Sequence, residues 1–565
     1  MVNPLQKETS LSSLNTRPKS SVTRSISTIL LFANILSIIL SGFYLIGLHG
    51  YGLWNIFGVL FVLTLIGNII VAAFPSDHKW LDYSYLLFTI IAMILLPVLN
   101  SLASFQLSNT DSRTALSVII IFILLILGTV MAAMTRKSQG DNPFTNRFTV
   151  HFAKERMFSK RRVMTGIWSL FLLGGVYVAY ELLQGKSGGV IEMFFPGYAL
   201  FFSIGTIAIV LFIIKMHSGK SRSLLIHLLT LIGLGVAVCF SLPLFATLFS
   251  MEEAETRFTD ALGDEWKESI PEEVKTHFLT TPFSLPNYFF GTETNGYTVQ
   301  EDILFFEGEE GIDKDIQLRF DAYLPPEQTN LPGNRSVLIR IHGGGWTIGD
   351  KGSGNNAQIN KYFASQGYVV FDVQYGLSSE EKFVEFAPVP DNIVADFTID
   401  DMVRHIGLFT DYLVENNDQF NADLNAVFIS GASAGGQLAN AVGLGLASGE
   451  YEDILNPELH VKGIIPLYPA NGLADEVGID GSDALTNPAE LVTGNSPPSL
   501  IFQGTADGVV DASISKTFAE TYKENNNPQS VLLMMPYAGH NGDFYFSSYY
   551  NQMFIYYMER FMYLN

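Results

Sequence analysis

Residues 426–448 read AVFISGASAGGQLANAVGLGLAS. Ala426–Ser430 is an apolar run of strand length, and Ala434–Leu446 is a helix-length run rich in small residues. Between them, Gly431-Ala432-Ser433-Ala434-Gly435 matches G-x-S-x-G. A serine at a sharp strand-to-helix turn has a strained backbone and an exposed hydroxyl, the arrangement called a nucleophile elbow. Ser433 is therefore the candidate nucleophile. Gly431 and Gly435 are its structural support, because strand and helix can pack closely only where side chains are missing.

On either side of the elbow, short apolar strands alternate with helical segments. Ile303–Glu307 and Ile316–Tyr323 read as antiparallel edge strands. Ser336–Ile341, Tyr368–Gln374, Val461–Leu467, Ser499–Gln503 and Val531–Met535 read as buried strands. Asn356–Gln366, Asp396–Asn416 and the aromatic-rich Phe544–Tyr563 read as helices. Alternation of this kind predicts a mostly parallel sheet with helices on both faces, and a site at the carboxyl ends of its strands.

Three loops at those ends carry chemistry. His342-Gly343-Gly344-Gly345-Trp346 follows the third strand. A glycine run lets backbone N–H groups approach a developing oxyanion, so Gly343 and Gly344, with Ala434 from the elbow, form a candidate oxyanion hole. His342 reads as structural support for that loop. Asp507, in Gly504-Thr505-Ala506-Asp507-Gly508, follows the seventh strand and is the candidate acid. Asp511 is a near rival at the start of the next helix. His540, in Tyr537-Ala538-Gly539-His540-Asn541, follows the eighth strand and is the candidate base. The order Ser, Asp, His is the one expected for an elbow serine.

With these residues in place, the chain resembles the hormone-sensitive-lipase-like branch of the α/β-hydrolases, especially bacterial esterases with an HGGGW-x-x-G-[DS]-K signature. Here the signature reads HGGGWTIGDK (342–351). The likeness covers roughly residues 290–565 and takes in FDAYLP (320–325), Asp423 and SPPSLIFQGTAD (496–507). It implies an α/β-hydrolase domain that hydrolyses carboxylic esters through Ser433, His540 and Asp507, with no metal and no other cofactor. Tyr375-Gly376-Leu377 departs from the family's Tyr-Arg-Leu, and the following segment to residue 395 is long and acidic. Both departures fall near the expected substrate entrance.

The other half is of a different kind. The 565-residue chain carries a formal net charge of −22. That figure divides into +10 for residues 1–250, from 18 Lys and Arg against 8 Asp and Glu, and −32 for the remainder. So acidic a C-terminal half repels a phosphate backbone, which argues against nucleic acid as a partner. Seven stretches have the roughly 20 apolar residues that cross a bilayer: about 26–48, 51–74, 82–104, 115–134, 164–184, 190–214 and 224–249. The first is too long for a signal-peptide core and reads as a span. Glu181, Glu192 and His227 lie near span ends and read as interfacial residues. The single cysteine, Cys239, lies in the last span, so the acidic half has no disulfide framework. An exported domain without cysteine suits a bacterial cell surface.

Lys and Arg cluster in the N-terminal tail (Lys7, Arg17, Lys19, Arg24), at Lys79, in the 135–163 loop and in the 215–223 loop. The opposite loops hold only Arg113 and Lys186. The positive-inside tendency then predicts a plasma-membrane protein with a cytoplasmic N-terminus and an extracellular C-terminal half. The expected organisation is a tail (1–25), a seven-helix membrane domain (26–250), a juxtamembrane spacer or cap (251–290) and the catalytic domain (291–565). The lipid bilayer and an ester substrate are the expected partners, with a cell-surface glycan or a lipid as candidate substrates and short acyl groups favoured. An acyltransferase with a lipid-linked or surface-polymer acceptor, and a non-catalytic ligand-binding sensor, are the alternatives.

Overall fold

The computed structural model describes residues 19–47, 53–74, 78–138, 154–217, 223–327, 330–352, 354–385 and 387–565. Several residues used for the orientation expectation, including Lys7, Arg17, Arg147, Lys220 and Arg222, lie outside them. Among the described residues, seven helices are long and apolar enough to cross a membrane. They are α1 (Lys19–Leu45), α2 (Leu53–Ala73), α3 (Lys79–Ser104), α4 (Ala115–Ser138), α5 (Lys154–Gln184), α6 (Val190–Met216) and α7 (Leu224–Leu262). α3 continues through Pro97. α7 runs on through Met251 to Leu262, into the segment read as a juxtamembrane spacer or cap.

The chain divides into two compact units. One comprises Met1–Leu96, Ala115–Tyr177 and Phe201–Val238; the other comprises Pro97–Thr114, Val178–Leu200 and Cys239–Asn565. Several polar side chains inside the first unit are paired with one another. Asn34 and Asn68 exchange amide hydrogen bonds of 2.9 and 2.8 Å. Lys215, counted above among the loop charges, lies in the last turn of α6 and meets Asp82 at 2.7 Å, both fully buried. In an apolar interior an unpaired amide or charge would cost several kcal/mol, so such groups occur in pairs.

The second unit is built on a twisted sheet of eight strands among the described residues: β1 (Thr298–Glu307), β2 (Gln317–Leu324), β3 (Ser336–Ile341), β4 (Val369–Val373), β5 (Asp423–Ala432), β6 (Val461–Leu467), β7 (Ser499–Gly504) and β8 (Ser530–Met535). Their order is β1-β2-β4-β3-β5-β6-β7-β8. β1 and β2 pair antiparallel, β2 also runs antiparallel to β4, and the remaining pairs are parallel. The central strands are buried on both faces, which accounts for runs such as SVLIRI and VVFDV. Helices α8 (Asn356–Ser365), α9 (Ile399–Glu415), α10 (Ala434–Ser448), α11 (Ala512–Glu524) and α12 (Tyr549–Leu564) accompany the sheet. This is an α/β-hydrolase fold; the alternation of elements implied its mostly parallel sheet, and the family resemblance implied the fold.

α9 is entered through a capping box in which Thr398 and Asp401 satisfy each other's backbone N–H groups. α12 begins at Tyr549, five residues later than its aromatic pattern suggested, with Ser548 accepting a hydrogen bond from Asn551 N–H as its cap. Residues 251–290 lie along α12. The Leu279 N–H donates to the Glu559 carboxylate, Gln552 exchanges hydrogen bonds with the Ser284 backbone, and Phe258 packs on Tyr557.

Candidate active site

Ser433 occupies the turn from β5 to α10 with φ 57° and ψ −122°, a region that L-residues rarely adopt. The packing around it explains the flanking glycines. A Cβ on Gly431 would lie 2.1 Å from the Gly435 carbonyl oxygen, and one on Gly435 would lie 2.3 Å from the carbonyl oxygens of both Ile341 and His342. The strained turn is thus wedged between the helix start and β3.

The loops after β7 and β8 bring Asp507 and His540 to this turn. The Ser433 hydroxyl lies 2.8 Å from His540 Nε2, and His540 Nδ1 lies 3.0 Å from Asp507 Oδ2. Asp507 and His540 are buried. The Asp507 carboxylate accepts three further hydrogen bonds, from the N–H groups of Val509 (2.9 Å) and Val510 (2.8 Å) and from Gln503 Nε2 (3.1 Å). Gln503 is itself fixed by the Ser515 hydroxyl at 2.7 Å. An acceptor-only carboxylate held in this way places the imidazole proton on Nδ1 and leaves Nε2 free to accept from the serine. Asp511, the rival acid, is half exposed. It caps α11 and pairs with Lys186 at 2.8 Å, which holds its carboxyl below the usual carboxylate range.

The glycine loop lies directly beside the elbow. A Cβ on Gly343 would come within 3.2 Å of Ser433 Cβ and 2.6 Å of the Ala432 carbonyl oxygen. Gly344 takes φ 125°, open only to glycine. The rest of the HGGGWTIGDK stretch anchors this loop. Trp346 Nε1 donates to Gln437 of α10 at 3.0 Å. His342 stacks on Tyr375 with ring centres 4.4 Å apart, and its Nδ1 lies 2.9 Å from the Gly343 carbonyl oxygen. Burial pushes the His342 imidazole below its ordinary range, toward the neutral form. Lys351 meets Asp321 at 2.9 Å and Asp302 at 2.7 Å, so FDAYLP on β2 is tied to the signature's lysine. Asp350 accepts from Gln374 Nε2 at 2.6 Å.

Gly376, where the family's arginine was expected, is explained by His405. A Cβ there would lie 2.6 Å from His405 Cε1 and 2.5 Å from the Phe397 ring. The Gly376 N–H donates to His405 Nδ1 at 3.1 Å, and His405 Nε2 lies 2.8 Å from Asp313.

Sequence reasoning missed a polar layer under His540. Tyr468 packs on the His540 ring, with centroids 4.6 Å apart, and donates from its hydroxyl to Asp543 at 2.7 Å. Arg340, near the carboxyl end of β3, donates to Ser430 at 2.6 Å and to Asn356 at 2.9 Å, and shares its field with Asp372 and Asp543. Burial pushes the Asp372 carboxyl up to about 7 and raises Asp543 as well. An arginine within a strand of isoleucine and leucine was the available signal. Glu192 was also missed. Expected at the interface, it is buried, and the backbone N–H of His540 donates to its Oε1 at 3.3 Å. No sequence pattern links residues 348 positions apart. Among the described residues, no group of three or more His, Cys, Asp or Glu is arranged to hold a metal ion.

Parts of the chain are similar to known proteins. The BD-FAE family matches residues 320–478. The chain is similar to the esterase LipC of Mycobacterium tuberculosis, with 24% identity over 37% of this chain and 53% of LipC. It is also similar to the probable isoprenylcysteine alpha-carbonyl methylesterase ICMEL1 of Arabidopsis thaliana, with 22% identity over 38% of this chain and 47% of that protein. The chain therefore spans about half the length of these curated relatives. Among solved structures, it is similar to Thermogutta terrifontis esterase 2, with 21% identity, a TM-score of 0.35, and coverage of 48% of this chain and 92% of that one.

Proposed function

We propose that the protein is a membrane-anchored serine carboxylesterase of the hormone-sensitive-lipase-like branch, acting outside the cell on short-chain acyl esters. The observation that carries this reading is the unbroken line of contacts from Ser433 Oγ through both nitrogens of His540 to Asp507, at 2.8 and 3.0 Å. His540 takes the Ser433 proton as the hydroxyl oxygen attacks the ester carbonyl. Asp507 holds the imidazole in the required tautomer and stabilises its cation. Backbone N–H groups of Gly343, Gly344 and Ala434 receive the oxyanion. His540 then returns its proton to the leaving alcohol. A water molecule, deprotonated by the same imidazole, releases the acyl group as a carboxylic acid. Similarity to proteins named as esterases supports the reaction class.

The extracellular placement rests on seven apolar helices and on the excess of Lys and Arg on one set of loops. The full chain, purified in detergent, should hydrolyse p-nitrophenyl acetate, and Ser433→Ala should abolish that activity. Full activity in the variant would refute the assignment. Protease added to intact cells should cut the C-terminal half, and protection there would reverse the orientation.

A further inference from the structure

The segment 185–192, made of the turn between α5 and α6 and the first residues of α6, belongs to the same compact unit as the sheet. It touches both loops that carry the acid and the base. On the acid side, Lys186 N–H donates to the Ala506 carbonyl at 2.7 Å, one residue before Asp507. On the base side, Glu192 Oε1 accepts the backbone N–H of His540 at 3.3 Å, while Oε2 accepts the Gly188 N–H at 2.7 Å. The Gly508 N–H also faces this carboxylate.

Two glycines that the esterase motifs leave unexplained are accounted for by the same turn. A Cβ on Gly508 would lie 2.4 Å from Gly188 N and 2.7 Å from Glu192 Oε2. A Cβ on Gly539 would lie 2.2 Å from the Glu192 carbonyl oxygen and 2.3 Å from Oε1. Gly508 follows Asp507 and Gly539 precedes His540, so the turn is packed against the neighbours of both residues. Neither glycine is among those with positive φ. The demand for glycine there comes from close approach and not from backbone conformation.

We infer that the 185–192 segment is part of the catalytic unit, and that Glu192, in the first turn of α6, is a positioning residue that holds the His540 backbone where its imidazole bridges Asp507 and Ser433. This rests on the serine-esterase reading. A carboxylate accepting backbone N–H groups in a buried place fixes the loop with charge-assisted hydrogen bonds. Losing it leaves those donors unpaired and lets the base drift, and small displacements of a general base are costly in rate. The catalytic centre then requires a piece of the membrane half, and the anchoring helices cannot be exchanged freely for another anchor.

The test uses the full chain in detergent, with fluorophosphonate titration to count reactive serines and p-nitrophenyl acetate kinetics on the titrated enzyme. Glu192→Ala should lower kcat per labelled serine by about 10- to 100-fold, with KM within about threefold of wild type. Glu192→Gln keeps the shape and one amide acceptor, so its loss should be smaller, about 3- to 10-fold. If Glu192→Ala gives no folded protein, the near-isosteric Glu192→Gln decides by the same split. A role confined to folding would reduce the number of labelled serines and leave kcat per serine unchanged; that result overturns the inference while the esterase reading stands. An inert wild-type chain that takes no fluorophosphonate overturns both.

Discussion

The Ser433 side and the Asp507–His540 side of the candidate site are held in different ways. Around Ser433, support comes from nearby elements of the sheet: Gly435 against Ile341, Gly343 against Ala432, Trp346 on Gln437. All lie between residues 341 and 437. Around Asp507 and His540, support comes from Gln503 and Ser515 nearby, but also from Lys186 and Glu192, more than 300 residues earlier. The first side is completed within the α/β unit, where the Ser433 N–H also donates to the Leu467 carbonyl at 2.9 Å. The second is completed by a turn joining two apolar helices.

Substitutions on the two sides should separate these roles. The largest effect belongs to the nucleophile: Ser433→Ala should lower p-nitrophenyl acetate hydrolysis by about 10⁴-fold or more, measured as kcat/KM. Asp507→Asn should follow, with a loss of about 10³- to 10⁴-fold, because an amide beside Nδ1 permits the wrong imidazole tautomer. A loss under tenfold would shift the acid role elsewhere. His405 tests the sheet without touching the chemistry. Its Nδ1 accepts the Gly376 N–H, so protonation would break that bond, and burial likewise pushes the imidazole below its ordinary range. The unfolded chain binds this proton more readily than the folded one. Stability is therefore complete above the ordinary histidine value near 6.5 and falls as pH drops below it. Thermal melts between pH 7.5 and 5.5 should show that fall, and His405→Gln, less stable at pH 7.5, should show less of it. The smallest effect is expected at Asp511. As an exposed cap paired with an exposed lysine it contributes about 1 kcal/mol or less to stability. Asp511→Ala should leave kcat/KM within about threefold; a collapse of activity would revive it as the acid.

The same division marks what was legible in the sequence. The elbow, the glycine loop and the Asp507 and His540 loops each sit at a strand end, so local pattern and chain order located residues that the structure brings within hydrogen-bond range. The central parallel strands were legible because buried parallel strands are continuous apolar runs. The start of α12 was displaced, since Phe544 to Ser548 are as aromatic as the helix itself and only the Ser548 cap marks the boundary. Arg340, Asp372, Tyr468 and Asp543 were not legible as a group, because their partnership exists only where β3, β4, β6 and the last loop converge. Glu192 was misread for a related reason. A carboxylate at the end of an apolar helix looks interfacial until a second segment supplies the N–H groups that bury it. Lys215 was counted as a loop charge by the same logic, and Asp82 supplies its partner.

The most direct test is to react the full-length protein with a fluorophosphonate and map the adduct by peptide mass spectrometry. The adduct should fall on Ser433 alone, and His540→Ala should suppress it. Labelling that is absent, or that falls on another serine while ester hydrolysis continues, would contradict the assignment of Ser433, His540 and Asp507 as the catalytic centre.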